Sequence, residues 1–133
     1  MDNVISQTVL FPVPAETLFH MYLDPTEHEA ITGSPVQIAI NPGAKFSAFD
    51  GALSGKILAI VAPHLIVQSW RSKEFKPSDP DSTLVLSFTS QDGTGRIDLV
   101  HINVPDHDLD AVSEGWDQFY WIPWREYLAR KAI

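Results

Sequence analysis

The chain contains no cysteine, which removes structural disulfides, thiolate catalysis and cysteine-ligated zinc in one step. Basic residues are scarce too: 9 Lys and Arg stand against 17 Asp and Glu, for a formal charge of −8. Affinity for a nucleic-acid backbone comes from Lys and Arg displacing counterions, so no nucleic-acid partner is expected. The same acidity disfavours an anionic membrane surface. No run approaches the roughly 20 apolar residues of a membrane helix. Met1–Ser6 has neither the basic start nor the apolar run of a secretory signal. A soluble, cytoplasmic protein is the expectation. Repeats and low-complexity stretches are also missing. With 133 residues, 44% hydrophobic and 20% charged, the chain reads as a single folded domain over 1–133.

Catalytic signatures are equally thin. There is no Gly-rich phosphate loop, nucleophile elbow or paired-carboxylate pattern. The five histidines are His20, His28, His64, His101 and His107, and no two share the spacing that places both on one metal. Glu27-His28-Glu29 reads as an exposed helix start. No metal and no cofactor are expected, and binding is favoured over catalysis.

What the chain does have is periodicity with clear punctuation. Val4–Phe11 is β-branched and apolar and predicts a strand. Pro14 opens a short helix with Leu18, Phe19 and Tyr22 on one face, and Asp24-Pro25-Thr26-Glu27 starts a second, closed by Gly33. Strands follow at Ala44–Phe49, Leu53–Val61, Leu65–Arg71, Thr83–Ser90 and Arg96–Val104. The turns between them fall at Asp50-Gly51, Ala62-Pro63-His64 and Asp92-Gly93, which predicts an antiparallel meander. Ser72–Ser82, with Pro77 and Pro80, reads as an exposed loop.

The last element carries Val112, Trp116, Phe119, Tyr120, Pro123, Trp124, Tyr127 and Leu128 at helical spacing. Acidic residues crowd its start and basic ones its end, as the helix dipole prefers. Gly115 weakens it locally and allows the backbone close to the sheet, while Pro123 predicts a kink. The fold class expected is α+β, a helix-grip: a curved antiparallel sheet with two short helices, wrapped around a long C-terminal helix.

The word order Pro42-Gly43-Ala44-Lys45-Phe46, Phe49-Asp50-Gly51, Gly55, Ile66-Val67-Gln68-Ser69-Trp70-Arg71 and Gly115-Trp116 resembles the homologues of the heat-shock-protein-90 ATPase activator. These lie within the START and pollen-allergen superfamily, and the likeness runs from about Val4 to Leu128. The resemblance implies two kinds of function. Cochaperone members stimulate a chaperone ATPase in the stress response, and the wider superfamily encloses lipids, hormones or polyketides in a cavity.

The candidate ligand-binding residues are Trp70, Phe88, His101, Trp116, Phe119 and Tyr120, between sheet and helix. Strand alternation turns His101 inward with Ile97, Leu99 and Asn103. A core histidine satisfied by a neighbour is the plainer role for it, and a polar anchor or proton-transfer group the sharper one. Three readings follow in order: a non-catalytic binder of a small, largely apolar molecule, a protein-interaction module acting on a chaperone ATPase, and a cavity enzyme of cyclase or hydrolase type. Trp121 falls off the apolar stripe by about 140° at 3.6 residues per turn, so it is expected either exposed, serving a homodimer contact, or covered by the strand-connecting loops.

Overall fold

The computed structural model describes residues 3–132. Six strands form one antiparallel sheet: β1 (Val4–Phe11), β2 (Lys45–Ala48), β3 (Leu53–Val61), β4 (Leu65–Ser72), β5 (Ser82–Gln91) and β6 (Thr94–Ile102). Their order is β1-β6-β5-β4-β3-β2, so the meander from β2 to β6 is closed by the first strand pairing with the last. Asp92 and Gly93 both take positive φ, 52° and 81°, which suits the two-residue turn joining β5 to β6.

Alternation along the strands buries one face. Phe46 and Ala48, Ile57, Ile66 and Trp70, Leu84, Leu86 and Phe88, and Ile97 and Leu99 all point into a single buried cluster. β6 ends at Ile102, short of the expected Val104. Asn103 adopts a left-handed φ of 65° and is exposed, so it does not face inward with His101. For Gly55, early in β3, the sequence allows a bulge or a close approach of the helix; the structure shows a close approach of β4 instead. A Cβ there would lie 1.9 Å from the Ser69 carbonyl oxygen.

Two helices, α1 (Ala15–Leu23) and α2 (Pro25–Thr32), link β1 to β2. Asp24 caps α2 by accepting from the Thr26 and Glu27 amides, and Gly33 closes it at φ 76°. His28, expected at the surface, is 1% exposed, because it lies one turn before buried Ile31 on the inner face of α2. The Ser72–Ser82 loop is also anchored: Phe75 is buried against Trp70 at 6.0 Å between ring centres.

The C-terminal helical run comprises α3 (Leu109–Trp116), a π-helical turn (Asp117–Trp121) and α4 (Ile122–Lys131). A π turn stands directly before Pro123, the residue at which a kink was expected. Pro123 has no N–H to give, and its ring crowds the carbonyl four residues back; the wider turn accommodates both. One extra residue in that turn reverses two expectations. Trp121, five residues after Trp116, comes round onto the same face and is buried, stacked between Trp116 and Trp124 at 5.6 and 6.2 Å. Its indole N–H donates to Gln7 Oε1 at 2.8 Å. Phe119 turns the other way and is 58% exposed. The homodimer contact assigned to an exposed Trp121 therefore loses its residue. Among the described residues, no helix is long and apolar enough to cross a membrane.

Candidate functional site

The outer end of β4 and the start of β3 stand opposite α3 and the π turn, and a cavity of about 320 Å³ lies between them. Its wall is largely aromatic and aliphatic: Trp70, Trp116 and Tyr120 inside, Phe49 and Leu53 opposite, Phe119 at the rim. Phe49 meets Phe119 edge to face at 5.6 Å and Tyr120 at 5.9 Å, so the three rings form a continuous surface. Gly115 and Ala111 lie on the helical side, where a larger side chain would intrude. A Cβ on Gly115 would touch only the Phe119 ring, at 3.6 Å. Its small size thus leaves room in the cavity, and no helix–sheet approach depends on it.

Ser72, Glu74 and Asp108 supply the polar part of the wall. Asp108 is 7% exposed and occupies the position before α3, yet its carboxylate caps no helix amide. Burial above all pushes its carboxyl up from the usual range. The neighbouring His107 opposes that rise, and Glu74 and Asp79 add to it.

Of the six residues expected in a ligand site, Trp70, Trp116, Phe119 and Tyr120 line this cavity together. Phe88 does not. It packs beneath α1 against Phe19, edge to face at 5.5 Å, and is fully buried. His101 is behind the wall, with its ring 4.6 Å from Trp70. Trp116 Nε1–H donates to His101 Nδ1 at 3.1 Å. That leaves the proton on Nε2, which donates to Ser82 Oγ at 2.8 Å, and Ser82 in turn donates to the Trp70 carbonyl at 2.6 Å. Both ring nitrogens are occupied, and burial lowers the His101 pKa to about 3. The geometry gives it the plainer role, a neutral strut that fixes the two tryptophans of the wall. Asp50 sits exposed in its turn and makes no pair with it.

A second buried polar set backs Tyr120. His28 Nδ1 donates to the Tyr22 carbonyl at 2.7 Å, because a carbonyl can only accept. His28 Nε2 then accepts from the Tyr120 hydroxyl at 2.8 Å. Burial lowers His28 to about 4 and raises both tyrosines. The hydroxyl of Tyr120 is therefore committed to the core, and what the cavity receives from it is chiefly ring. Sequence reasoning missed His28, Phe49, Leu53 and Asp108. The spacing of His28 to Ile31 could have found the first; nothing local marked the others, whose role arises from where turns and helix start meet in space.

Comparison with known proteins gives this geometry a context. A fission-yeast protein (Schizosaccharomyces pombe), itself uncharacterized, is 28% identical over 97% of this chain and 38% of its own length. The mouse activator of 90 kDa heat shock protein ATPase homolog 2 is 28% identical over 74% of this chain and 29% of its own. The chain thus spans about a third of the curated relatives it matches. A crystal structure of an HSP90 activator from Plasmodium falciparum superposes with a TM-score of 0.86 at 27% identity, covering 95% of this chain and 96% of that one. Residues 12–122 match the model described as Activator of Hsp90 ATPase homolog 1-like protein, and the chain belongs to that family.

Proposed function

We propose that this domain is a non-catalytic binding module that holds a small, largely apolar molecule between the sheet and the C-terminal helix. The observation that carries this reading is the cavity of about 320 Å³ with its wall of Trp70, Trp116, Tyr120, Phe49 and Phe119. That volume is at the low end of small-molecule sites, and aromatic walls with few polar groups are their usual composition. Two hydrogen-bonded struts, through His101 and His28, hold the wall in place, so little ordering is needed on binding.

The test is titration with the neutral fluorophore N-phenyl-naphthylamine, read by its own emission and by tryptophan quenching. Ala111→Phe adds a ring on the helical side of the cavity at an exposed position. It is expected to weaken binding at least tenfold with an unchanged melting temperature. Equal affinity in the variant would remove this site as the binding place.

A second reading is modulation of a chaperone ATPase, favoured by the Plasmodium relative, which is described as an HSP90 activator and matches along nearly its whole chain. Here the outer surface of the domain would make the contact, in the cytoplasm. It predicts that the protein changes the ATPase rate of a co-resident chaperone of the 90 kDa class, and that Ala111→Phe leaves that change intact.

A further inference from the structure

We infer that the molecule held in the cavity is an amphipathic cation, its apolar body against the tryptophans and its protonated amine at Asp108. This rests on the binding reading above and specifies the chemical class of its ligand. Among the described residues the Asp108 carboxylate has no partner. Asp108 is 93% buried by its 7% exposure, stands on the cavity wall, and among the described residues accepts no side-chain hydrogen bond and joins no ion pair. The residue is enclosed while its carboxylate oxygens keep contact with solvent, so the charge is hydrated until a ligand enters and displaces that water.

The charged groups nearby do not supply the missing partner. His107, adjacent in sequence, is engaged by Asp79, with Nε2 2.9 Å from Oδ2. Asp79 also accepts the Lys76 amide at 2.7 Å. Arg71 is committed to Asp81 and to the carbonyls of Asp79 and Lys76. Glu74, the other carboxylate on the wall, adds a second negative charge and belongs to no ion pair among the described residues. The polar part of the wall is thus negative: Arg71 and His107 are paired, and the exposed Lys73 and Lys76, which join no ion pair among the described residues, do not line the cavity.

The rest of the wall suits the same ligand. Trp70, Trp116 and Phe49 line it, and aromatic rings attract a cation as well as an apolar body. A neutral or anionic apolar ligand would displace water from Asp108 and give nothing back, whereas a cation replaces that water with an opposite charge.

Three probes of one shape separate the possibilities: naphthylmethylamine, naphthylmethanol and naphthoate, titrated calorimetrically at pH 7. The amine is expected to bind at least tenfold more tightly than the alcohol, and naphthoate more weakly than either. Asp108→Asn, nearly the same shape, should abolish the preference for the amine and leave the alcohol's affinity unchanged. Glu74→Gln, at an exposed position, should reduce the preference by a smaller factor. Equal binding of amine and alcohol, or a preference that survives Asp108→Asn, overturns the cationic ligand and leaves the apolar site standing. No binding by any of the three overturns the site itself.

Discussion

Two glycines that look alike in the sequence do opposite work. At Gly55 the chain has no room: a Cβ would lie 1.9 Å from the Ser69 carbonyl oxygen, and this is backbone that cannot swing away. Gly55→Ala should therefore disturb the β3–β4 pairing and cost several kcal/mol, on the order of an overpacked core. At Gly115 the nearest atom is 3.6 Å away and belongs to the Phe119 ring, so Gly115→Ala is sterically free. It should raise stability by up to about 1 kcal/mol through helix propensity. Urea unfolding of the two variants checks the contrast; equal losses would refute it. The sequence marked both positions as places of close approach. It could not say which neighbour approaches, because that depends on the β3–β4 register, which shifts between Ile57 and Ala59.

At the scale of elements, most of the fold was legible. Strand alternation, the Asp92-Gly93 turn and the Asp24 cap each have a local cause, and each occurs where that cause places it. The C-terminal helix was legible up to Trp116 and then went wrong by one residue. A period of 3.6 assigned Phe119 to the interior and Trp121 to water, whereas the π turn exchanges them. Only Pro123 hinted at the irregularity, and a proline leaves open whether the helix kinks or widens. The extra residue suggests a test. Deleting Gln118, exposed in the π turn, would bring Trp121 four residues after Trp116 and keep both on one face in an ordinary α-turn. The shortened chain should melt cooperatively, near the parent. Deleting Glu114 from α3 instead turns Val112 about 100° away from Trp116 and should lower the melting temperature far more. Comparable losses from the two deletions would show that the turn holds no spare residue.

Across the whole molecule, two buried imidazoles tie stability to pH. Their inward positions were only half legible: strand alternation placed His101, while His28 was hidden between two glutamates, Glu27, which pairs with Tyr127 and Lys131 of α4, and the exposed Glu29. Burial holds His101 at a pKa of about 3 and His28 at about 4, against 6.5 for an unconstrained side chain. Above pH 6.5 folded and unfolded chains both carry neutral imidazoles, and this contribution to stability is complete. As pH falls, the unfolded chain takes up protons that the fold refuses, so stability is lost until the folded values are passed. At pH 5 each histidine accounts for about 2 kcal/mol of that loss. The carboxylates act elsewhere. Asp79 and Asp98, held low by hydrogen bonds from His107 and Arg96, lose their contribution only below the ordinary carboxylate range. Asp108, pushed up by burial, works in the opposite sense and favours the fold slightly as it gains a proton. Urea unfolding at pH 7 and pH 5 should therefore show a loss of up to about 4 kcal/mol in the parent protein. His101→Gln, less stable at both pH values for want of its bonds to Trp116 and Ser82, should lose only about half as much between them. A pH-dependent loss in that variant as large as the parent's would mean that His101 does not refuse the proton, and that the strut behind the tryptophan wall can carry charge.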